Sequence, residues 1–212
     1  MISGFFVAVE GPEGAGKTTL AAALAREFRA GGVEPELVRE PGGTPIAEQV
    51  RRILLDPAHS VGPVTELFLF LAARAELVAT VISPALAAGR IVVADRFQLS
   101  TEAYQCGGRE LDRRLVSDAN RAATGGLQPD LTLVLDLPPE LGFTRIRQSG
   151  QSLDRIEQAG RAFHDRVAEV FRNATGPGIV HLDATQLPEQ VLRVAWSEVG
   201  ARRPGARLAG RD

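Results

Sequence analysis

The chain has 212 residues, of which 44% are hydrophobic and 24% are charged, and its formal net charge is −2. This length and composition are typical of one globular domain, and the near-neutral charge argues against a surface that coats a nucleic acid. The single cysteine, Cys106, excludes an internal disulfide and fits a reducing compartment.

Short apolar runs alternate with helical patterns along the chain. They predict strands at 5–9, 35–39, 90–94, 131–136 and 178–182, and helices at 17–30, 45–54, 64–88, 110–123, 139–147, 155–173 and 188–199. This alternation predicts an α/β fold of three layers, in which a mainly parallel sheet lies between helices. Ligands of such sheets bind at the edge formed by the loops that follow the strands.

The domain organisation is simple. We assign residues 1–200 to one domain and expect 201–212, a basic segment with proline and glycine, to be a flexible tail. The apolar start has no basic leader, and Arg74 and Glu76 interrupt the longest apolar stretch, so we expect neither a signal peptide nor a membrane span. These features predict a cytoplasmic protein without a membrane partner.

The segment GPEGAGKT, from Gly11 to Thr18, follows the first strand and opens the first helix. Its glycines allow successive backbone N–H groups to face phosphate oxygens, and the lysine adds a mobile positive charge. The segment therefore predicts a phosphate-binding loop for ATP or GTP. Its expected nucleotide-binding residues are Gly11, Gly14, Ala15, Gly16, Lys17, Thr18 and Thr19.

Asp95 and Arg96 follow the third predicted strand, at the same edge of the sheet. A carboxylate there can hold Mg²⁺ beside the Thr18 hydroxyl, and a guanidinium can bind a phosphate through two parallel hydrogen bonds. A surface ion pair at the end of the strand is the alternative. The phosphate-binding loop favours a nucleotide pocket.

Three further groups of side chains follow these loops. Arg39 and Glu40 precede a turn and could form only a loop salt bridge, and Phe70 and Arg74 share a helix face that could belong to the core. The polar run from Ser100 to Gln105 is by itself an ordinary helix face. Together they offer an aromatic ring, cations and an amide to a nucleobase.

In combination these segments resemble the thymidylate kinases, in the bacterial form with glycine in the phosphate-binding loop and a basic lid. The resemblance covers about residues 4–199. It rests on EGPEGAGKTT (10–19), REPGGT (39–44), FLAAR (70–74), DRF (95–97), the segment 100–105, PDLTL (129–133) and LDRIE (153–157). It implies the fold of a phosphate-loop kinase, with five parallel strands and a small lid at about 145–155.

The resemblance also implies the substrates, ATP with Mg²⁺ and dTMP, and a role for each matching residue. Arg39 and Arg96 would bind the acceptor phosphate, with Glu40 supporting Arg39, and Phe70 would stack on thymine. The base edge would be read by Arg74, Gln105 and Ser100; Tyr104 would exclude a 2′-hydroxyl, and Glu13 would meet the 3′-hydroxyl. Metal binding would fall to Thr18 and Asp95, and the expected catalytic residues are Glu13, Lys17, Asp95, Arg96, Arg147 and Arg155.

The lid departs from the family pattern. Members with glycine at the position of Gly14 usually carry a catalytic arginine just before the lid glycine, where this chain has Ser149. Arg147 and Arg155 are the expected substitutes. We also expect a homodimer that packs through helices including the long one, by analogy alone.

The expected reaction is in-line phosphoryl transfer to dTMP in dTTP synthesis. Two other classes of function stay open. The chain could be a kinase for another pyrimidine nucleotide, since uracil differs from thymine by one methyl group. It could also be a nucleotide-binding protein that only hydrolyses, or does not react, although the sequence has no Asn-Lys-x-Asp guanine-reading motif.

Overall fold

A computed structural model describes residues 4–150 and 152–203. Five strands form one parallel sheet in the order β2-β3-β1-β4-β5. Their bounds are β1 (Phe5–Glu10), β2 (Glu36–Arg39), β3 (Ile91–Asp95), β4 (Leu131–Asp136) and β5 (Ile179–Asp183). The predicted α/β fold with five parallel strands is therefore confirmed.

Helices cover both faces of the sheet. They are α1 (Lys17–Ala30), α2 (Pro45–Leu55), α3 (Pro63–Leu77), α4 (Ser83–Ala87), α5 (Gln98–Thr101), α6 (Arg113–Thr124), α7 (Pro139–Gln148), α8 (Arg161–Arg172) and α9 (Pro188–Arg202). A π-helical segment, Val78–Ile82, joins α3 to α4, and a second one, Glu102–Gly108, continues α5. Since α9 runs to Arg202, the predicted tail begins as helix, and 204–212 lie outside the described residues.

Three elements differ from the predicted pattern. The long helix widens into its π-helical segment before Pro84, which has no N–H group for an α-helical hydrogen bond. The predicted helices do not include the stretch 98–108 as an element, although the polar run from Ser100 to Gln105 is expected to be a helix face; its buried side chains include the polar Thr101 and Gln105. Residues 155–160 form turns rather than helix, since the Asp154 carboxylate accepts the backbone N–H groups of Ile156 and Glu157.

The hydrophobic core lies on both faces of the central strand. Alternate side chains of β1 point to opposite faces, so that Phe5, Val7 and Val9 pack with α1 and α9, whereas Phe6 and Ala8 pack with the long helix. Every residue of β1 is buried. This burial fixes the carboxyl end of β1, and with it the start of the phosphate-binding loop.

One helical stretch of the described residues, Pro63–Ala87, is long and apolar enough to cross a membrane by length and composition. Its best window has a mean hydropathy of 1.7 and is 39% buried. The same stretch contains Glu66 and Arg74, both buried and both ion-paired inside the protein. A core helix of a globular protein passes the same test.

Candidate active site

A cavity of about 660 Å³ opens at the carboxyl edge of β1, β2 and β3. The predicted site residues that line it are Glu13, Gly14, Gly16, Lys17, Thr18, Thr19, Arg39, Glu40, Phe70, Arg74, Asp95, Arg96, Ser100, Tyr104 and Gln105. Gly11 and Ala15 do not line the cavity. The Gly11 carbonyl accepts a hydrogen bond from Arg96, and Ala15 is buried in the core. The sheet thus brings segments from four regions of the chain to one cavity.

The phosphate-binding loop requires all three of its glycines, including Gly11, which has φ +140° and whose added Cβ would lie 2.7 Å from the Leu135 carbonyl oxygen. Gly14 has φ +69°, and a Cβ there would lie 2.3 Å from the carbonyl oxygen of Gly142; Gly16 has φ +93° and caps α1. The Lys17 ammonium is buried and donates to the Pro12 carbonyl at 2.6 Å. Burial, followed by the nearby Arg96 guanidinium, lowers the pKa of Lys17 to about 8. Below that pH the loop carries its positive charge.

The Thr18 hydroxyl donates to the Asp95 carboxylate, so the two oxygens meet at the start of α1. Among residues 4–150 and 152–203 there is no group of three or more His, Cys, Asp or Glu side chains that could hold a metal. A hydroxyl and one carboxylate fit Mg²⁺, which takes few protein ligands and fills its other positions with phosphate oxygens and water. The donor set therefore fits the expected cofactor.

Arg96 lies at the centre of a group of hydrogen-bonded side chains in the cavity. Its Nη2 donates to both Glu13 carboxylate oxygens at 2.8 Å, and its Nη1 donates to the Ser100 hydroxyl at 3.2 Å. Burial opposes the charges of this pair, yet Arg96 and Lys17 lower the pKa of Glu13 to about 2, and Glu13 raises the pKa of Arg96. Glu13 and Arg96 are therefore both charged near neutral pH.

Tyr104 contacts both Glu13 and Arg96. Its hydroxyl donates to Glu13 at 2.7 Å, and the Arg96 guanidinium lies 5.0 Å from its ring centroid. The ring also packs near Phe163 and Phe171, with centroid distances of 6.2 and 6.1 Å. The ring position is therefore fixed by neighbours on several sides.

Arg74 is buried, and all of its N–H donors are engaged. It donates to the Glu40 carboxylate, the Thr101 hydroxyl, the Asn120 amide oxygen and the Phe97 carbonyl. A guanidinium has five N–H donors, and these contacts use all five. Its predicted contact to a base therefore requires sharing a donor that is already bound inside the protein.

Gln105 and Arg155 meet at the buried carboxylate of Glu66. Gln105 donates its amide to Glu66 at 3.0 Å, and Arg155 approaches the other carboxylate oxygen at 2.8 Å. Arg109 binds both oxygens. Despite burial, these donors lower the pKa of Glu66. The cluster joins α3 to the second π-helical segment and to Arg155, which lies in the segment predicted as a lid.

The structure does not bring the two expected lid arginines to the cavity. Arg155 is held by Glu66 and donates to the Leu54 carbonyl, and Arg147 lies on the other side of α7, where it donates to Thr144. Residues two apart on a helix do not share a face. The cavity is instead lined by Arg145, which donates to the Gly14 and Ala184 carbonyls at 3.4 and 2.9 Å.

A sequence profile described as thymidylate kinase matches residues 9–194. The chain belongs to the thymidylate kinase family. Among curated relatives, a thymidylate kinase of Pseudomonas putida (strain GB-1) is 47% identical over 208 residues, covering 96% of this chain and 97% of its own. One of Deinococcus radiodurans is 43% identical over 205 residues, covering 95% and 99%. One of Pseudomonas syringae pv. tomato is 50% identical over 173 residues, covering 81% and 82%.

Membership of the thymidylate kinase family confirms the resemblance drawn from the motifs. It also shows that the chain is a kinase of the transferase class, with ATP as the phosphoryl donor. The hydrolytic switch and the kinase for another pyrimidine are not favoured.

Three residues that line or support the cavity of this thymidylate kinase family member lie outside the motifs, namely Arg51, Glu66 and Asn120. Arg51 lines it and donates to the Pro41 carbonyl at 2.9 Å; burial and the nearby Arg39 lower its pKa. Asn120 and Glu66, like Thr101 of the polar run, hold predicted site residues in place. The sequence marks these residues in one way only: each is a polar residue at a helix position that the hydrophobic pattern directs inward.

Glu10 is the first residue of the motif EGPEGAGKTT, and the resemblance implies no role for it. It ends β1, is fully buried, and burial raises its pKa from 4.5 to about 7. Its carboxylate accepts the backbone N–H groups of Phe97 and Ser100 and the Ser100 hydroxyl. A raised pKa means that the folded protein binds this proton more tightly than the unfolded chain does.

We expect Glu10→Gln to gain stability over the wild type as the pH rises. The wild type loses stability as the pH rises from 4.5 to 7, because the buried carboxyl group must then ionise, whereas glutamine does not titrate. Above pH 7 the loss in the free energy of unfolding of the wild type, relative to pH 4.5, reaches about 3 kcal/mol. Urea unfolding of both proteins at pH 5, 6, 7 and 8 measures it. A difference between the two that does not change with pH would contradict the raised pKa.

Proposed function

We propose that the protein transfers the γ-phosphoryl group of ATP to dTMP, forming dTDP and ADP for dTTP synthesis. One observation carries this proposal: the phosphate-binding loop and the acceptor-side Arg96 line the same cavity, linked through Glu13. A donor phosphate on the loop and an acceptor phosphate on Arg96 would then lie side by side. Relatives that cover almost the whole chain are named thymidylate kinases.

On the donor side, the loop amides and Lys17 bind the ATP phosphates. Mg²⁺ held by Thr18 and Asp95 would neutralise part of the triphosphate charge. Arg145 joins the loop to the segment containing Ala184, which we propose as the adenine side of the cavity. Backbone carbonyls there can accept hydrogen bonds from an exocyclic amine.

On the acceptor side, the dTMP phosphate is bound by Arg96, with Arg39 and Arg51 at the cavity wall. Phe70 stacks on the base, and Tyr104 occupies the space that a 2′-hydroxyl would need. The base edge is read by Arg74, Gln105 and Ser100. Arg74 and Gln105 then act from positions that Glu40 and Glu66 fix.

The reaction needs little proton transfer. An oxygen of the acceptor phosphate attacks the γ-phosphorus in line, the bond to the β-bridging oxygen breaks, and ADP leaves. Lys17 and Arg96 offset the charge of the two anions and hold them in register. Glu13 keeps Arg96 oriented and is placed to accept a hydrogen bond from the 3′-hydroxyl.

The test is ADP release by the purified protein with ATP and Mg²⁺, offered dTMP, dUMP, dCMP, dGMP or no acceptor in parallel. The proposal expects turnover with dTMP and a lower kcat/KM with dUMP, which lacks the methyl group. Turnover that is equal without acceptor would indicate a hydrolase. Turnover with dCMP or dGMP above that with dTMP would indicate another kinase.

We expect Arg145→Met to raise the KM for ATP about 10-fold. The variant loses the hydrogen bonds from the guanidinium to the Gly14 and Ala184 carbonyls, which join the loop to the proposed adenine side, and a hydrogen bond from a charged group contributes about 1.5–3 kcal/mol. Steady-state kinetics against ATP measure it, with the exposed Arg193→Met as the matched control. Arg147→Met and Arg155→Met belong in the same series, since a fall in kcat without a change in KM would support their predicted catalytic role. An unchanged KM for Arg145→Met would remove Arg145 from the donor side.

We also propose a cytoplasmic homodimer that acts on small molecules, without nucleic acid or membrane as partners. Exposed apolar side chains on α2 and α3 support the dimer, namely Ile46 (55% exposed), Val64 (45%) and Phe68 (54%). A second copy packed on these helices would cover them. Light scattering on the wild type and on Phe68→Glu tests this, since the charge should shift a dimer toward monomer.

A further inference from the structure

A carboxylate at the end of the central strand connects the two sides of the cavity. Glu10 lies directly before Gly11, the first residue of the phosphate-binding loop. Its Oε1 accepts the N–H groups of Phe97 at 2.9 Å and Ser100 at 3.1 Å, and its Oε2 accepts the Ser100 hydroxyl at 2.6 Å. All of these donors belong to the segment that follows Arg96.

That segment needs an external partner because of its backbone geometry. Arg96 has φ +74°, in the left-handed region that non-glycine residues rarely adopt and that costs about 1–3 kcal/mol. The turn directs the Phe97 N–H toward the end of β1, and Phe97 itself is fully buried. Without Glu10 this buried N–H group would lose its acceptor, which is unfavourable. Two further contacts join the segment to β1: the Arg96 N–H donates to the Val9 carbonyl, and the Phe97 ring packs edge-on against Phe6 with centroids 4.9 Å apart.

We propose that Glu10 is a positioning residue for acceptor binding: its carboxylate holds Arg96 in the left-handed conformation that directs the guanidinium to the acceptor phosphate. The inference rests on the proposed role of Arg96. Glu10 touches no substrate in this arrangement. It acts through the backbone of the Arg96–Ser100 segment and through Ser100, whose hydroxyl also accepts from Arg96.

Packing alone does not account for a carboxylate at this position. Glu10 is 0% exposed and ends a strand whose other members are all apolar, so an aliphatic side chain there would avoid the cost of burying a carboxylate. Arg96 and Lys17 both interact electrostatically with Glu10, but neither donates a hydrogen bond to its carboxylate. A polar group here is useful because it accepts the donors of the Arg96–Ser100 segment.

The test compares Glu10→Gln, Glu10→Met and the wild type by calorimetric binding of dTMP and of ATP. Glutamine keeps an oxygen for the two backbone N–H groups, and its amide can donate to the Ser100 hydroxyl, so we expect dTMP affinity within about 2-fold of wild type. Methionine offers no comparable acceptor, and we expect dTMP affinity to fall about 10-fold or more. ATP affinity should change much less, since the loop amides and Lys17 keep their own contacts.

A variant that already lacks Arg96 distinguishes a positioning role of Glu10 from a general loss of structure. In Arg96→Met/Glu13→Gln, the further change Glu10→Met should have no added effect on dTMP affinity, because the residue through which it acts is already absent. Equal added loss in that background would overturn the proposal, as would equal losses of ATP and dTMP affinity in Glu10→Met. If Glu10→Met does not fold, Glu10→Asp withdraws the carboxylate by one methylene group and is read in the same way.

The outcomes also distinguish this inference from the proposed function. Wild-type protein that binds ATP but not dTMP would overturn the proposed function. Wild-type protein that binds dTMP, with Glu10→Met binding it equally well, would overturn only the role of Glu10.

Discussion

Replacing Arg96 with methionine is expected to weaken dTMP binding about 100-fold and to destabilise the protein. The variant loses the guanidinium that we place on the acceptor phosphate, and charge-assisted hydrogen bonds contribute about 1.5–3 kcal/mol each. It also leaves Glu13, which is 16% exposed, without its cation. Removing one partner of a fully buried ion pair costs about 3–5 kcal/mol, and we expect a smaller loss here because the pair is partly exposed and Tyr104 still donates to Glu13. Calorimetry with dTMP and urea unfolding measure the two effects.

The double variant Arg96→Met/Glu13→Gln separates these effects. Neutralising Glu13 removes the unpaired charge, so the free energy of unfolding should recover most of its loss. The dTMP affinity should stay low, because the phosphate still lacks its cation. Recovery of dTMP affinity together with stability would show that Arg96 acts only through the fold and does not bind the phosphate.

Replacing Lys17 with methionine is expected to lower kcat/KM about 1000-fold, the upper range for removing one preorganised donor from a phosphoryl or acyl transfer site. Methionine has a similar length and keeps the packing of the stem. It removes the only ammonium group that faces the cavity among the described residues. Since the pKa of Lys17 is about 8, the comparison belongs at pH 7, where the wild-type group is protonated.

Arg29→Met is the matched control for this variant. It removes one positive charge from the same helix, α1, at a position that pairs with Glu34 on the protein surface. Its kcat/KM should stay close to that of the wild type. A fall of less than 10-fold in Lys17→Met would contradict the expected role of the lysine.

The fold was largely predictable because its signals are local. The strands are short apolar runs, and the sequence of the phosphate-binding loop specifies a turn followed by a helix. The stretch 98–108 was predicted only in part, as a polar helix face from Ser100 to Gln105, because its inward side carries polar groups that bind Arg74 and Glu66. At this position the usual hydrophobic pattern is replaced by site chemistry, so helical periodicity alone does not find it.

The candidate site was predictable as a set of residues but not as a set of contacts. Motif order placed Lys17 and Arg96 at one edge of the sheet, and both line the cavity. It did not indicate that Arg74 has all of its donors engaged, or that Arg155 is held by Glu66. Contacts of this kind join residues dozens of positions apart, and side-chain rotamers settle them only after the helices have packed.

The sequence by itself determined the family, the parallel α/β fold and the loop that binds phosphate, because each depends on residue type at fixed local spacing. Only the tertiary structure decided which lid arginine faces the cavity and which carboxylate supports Arg96. Arg145 and Arg147 differ by two positions, and the orientation of α7 against the Gly14 backbone places Arg145 at the loop. Glu10 reads as the end of an apolar strand, and it gains its partners only when β3 lies beside β1.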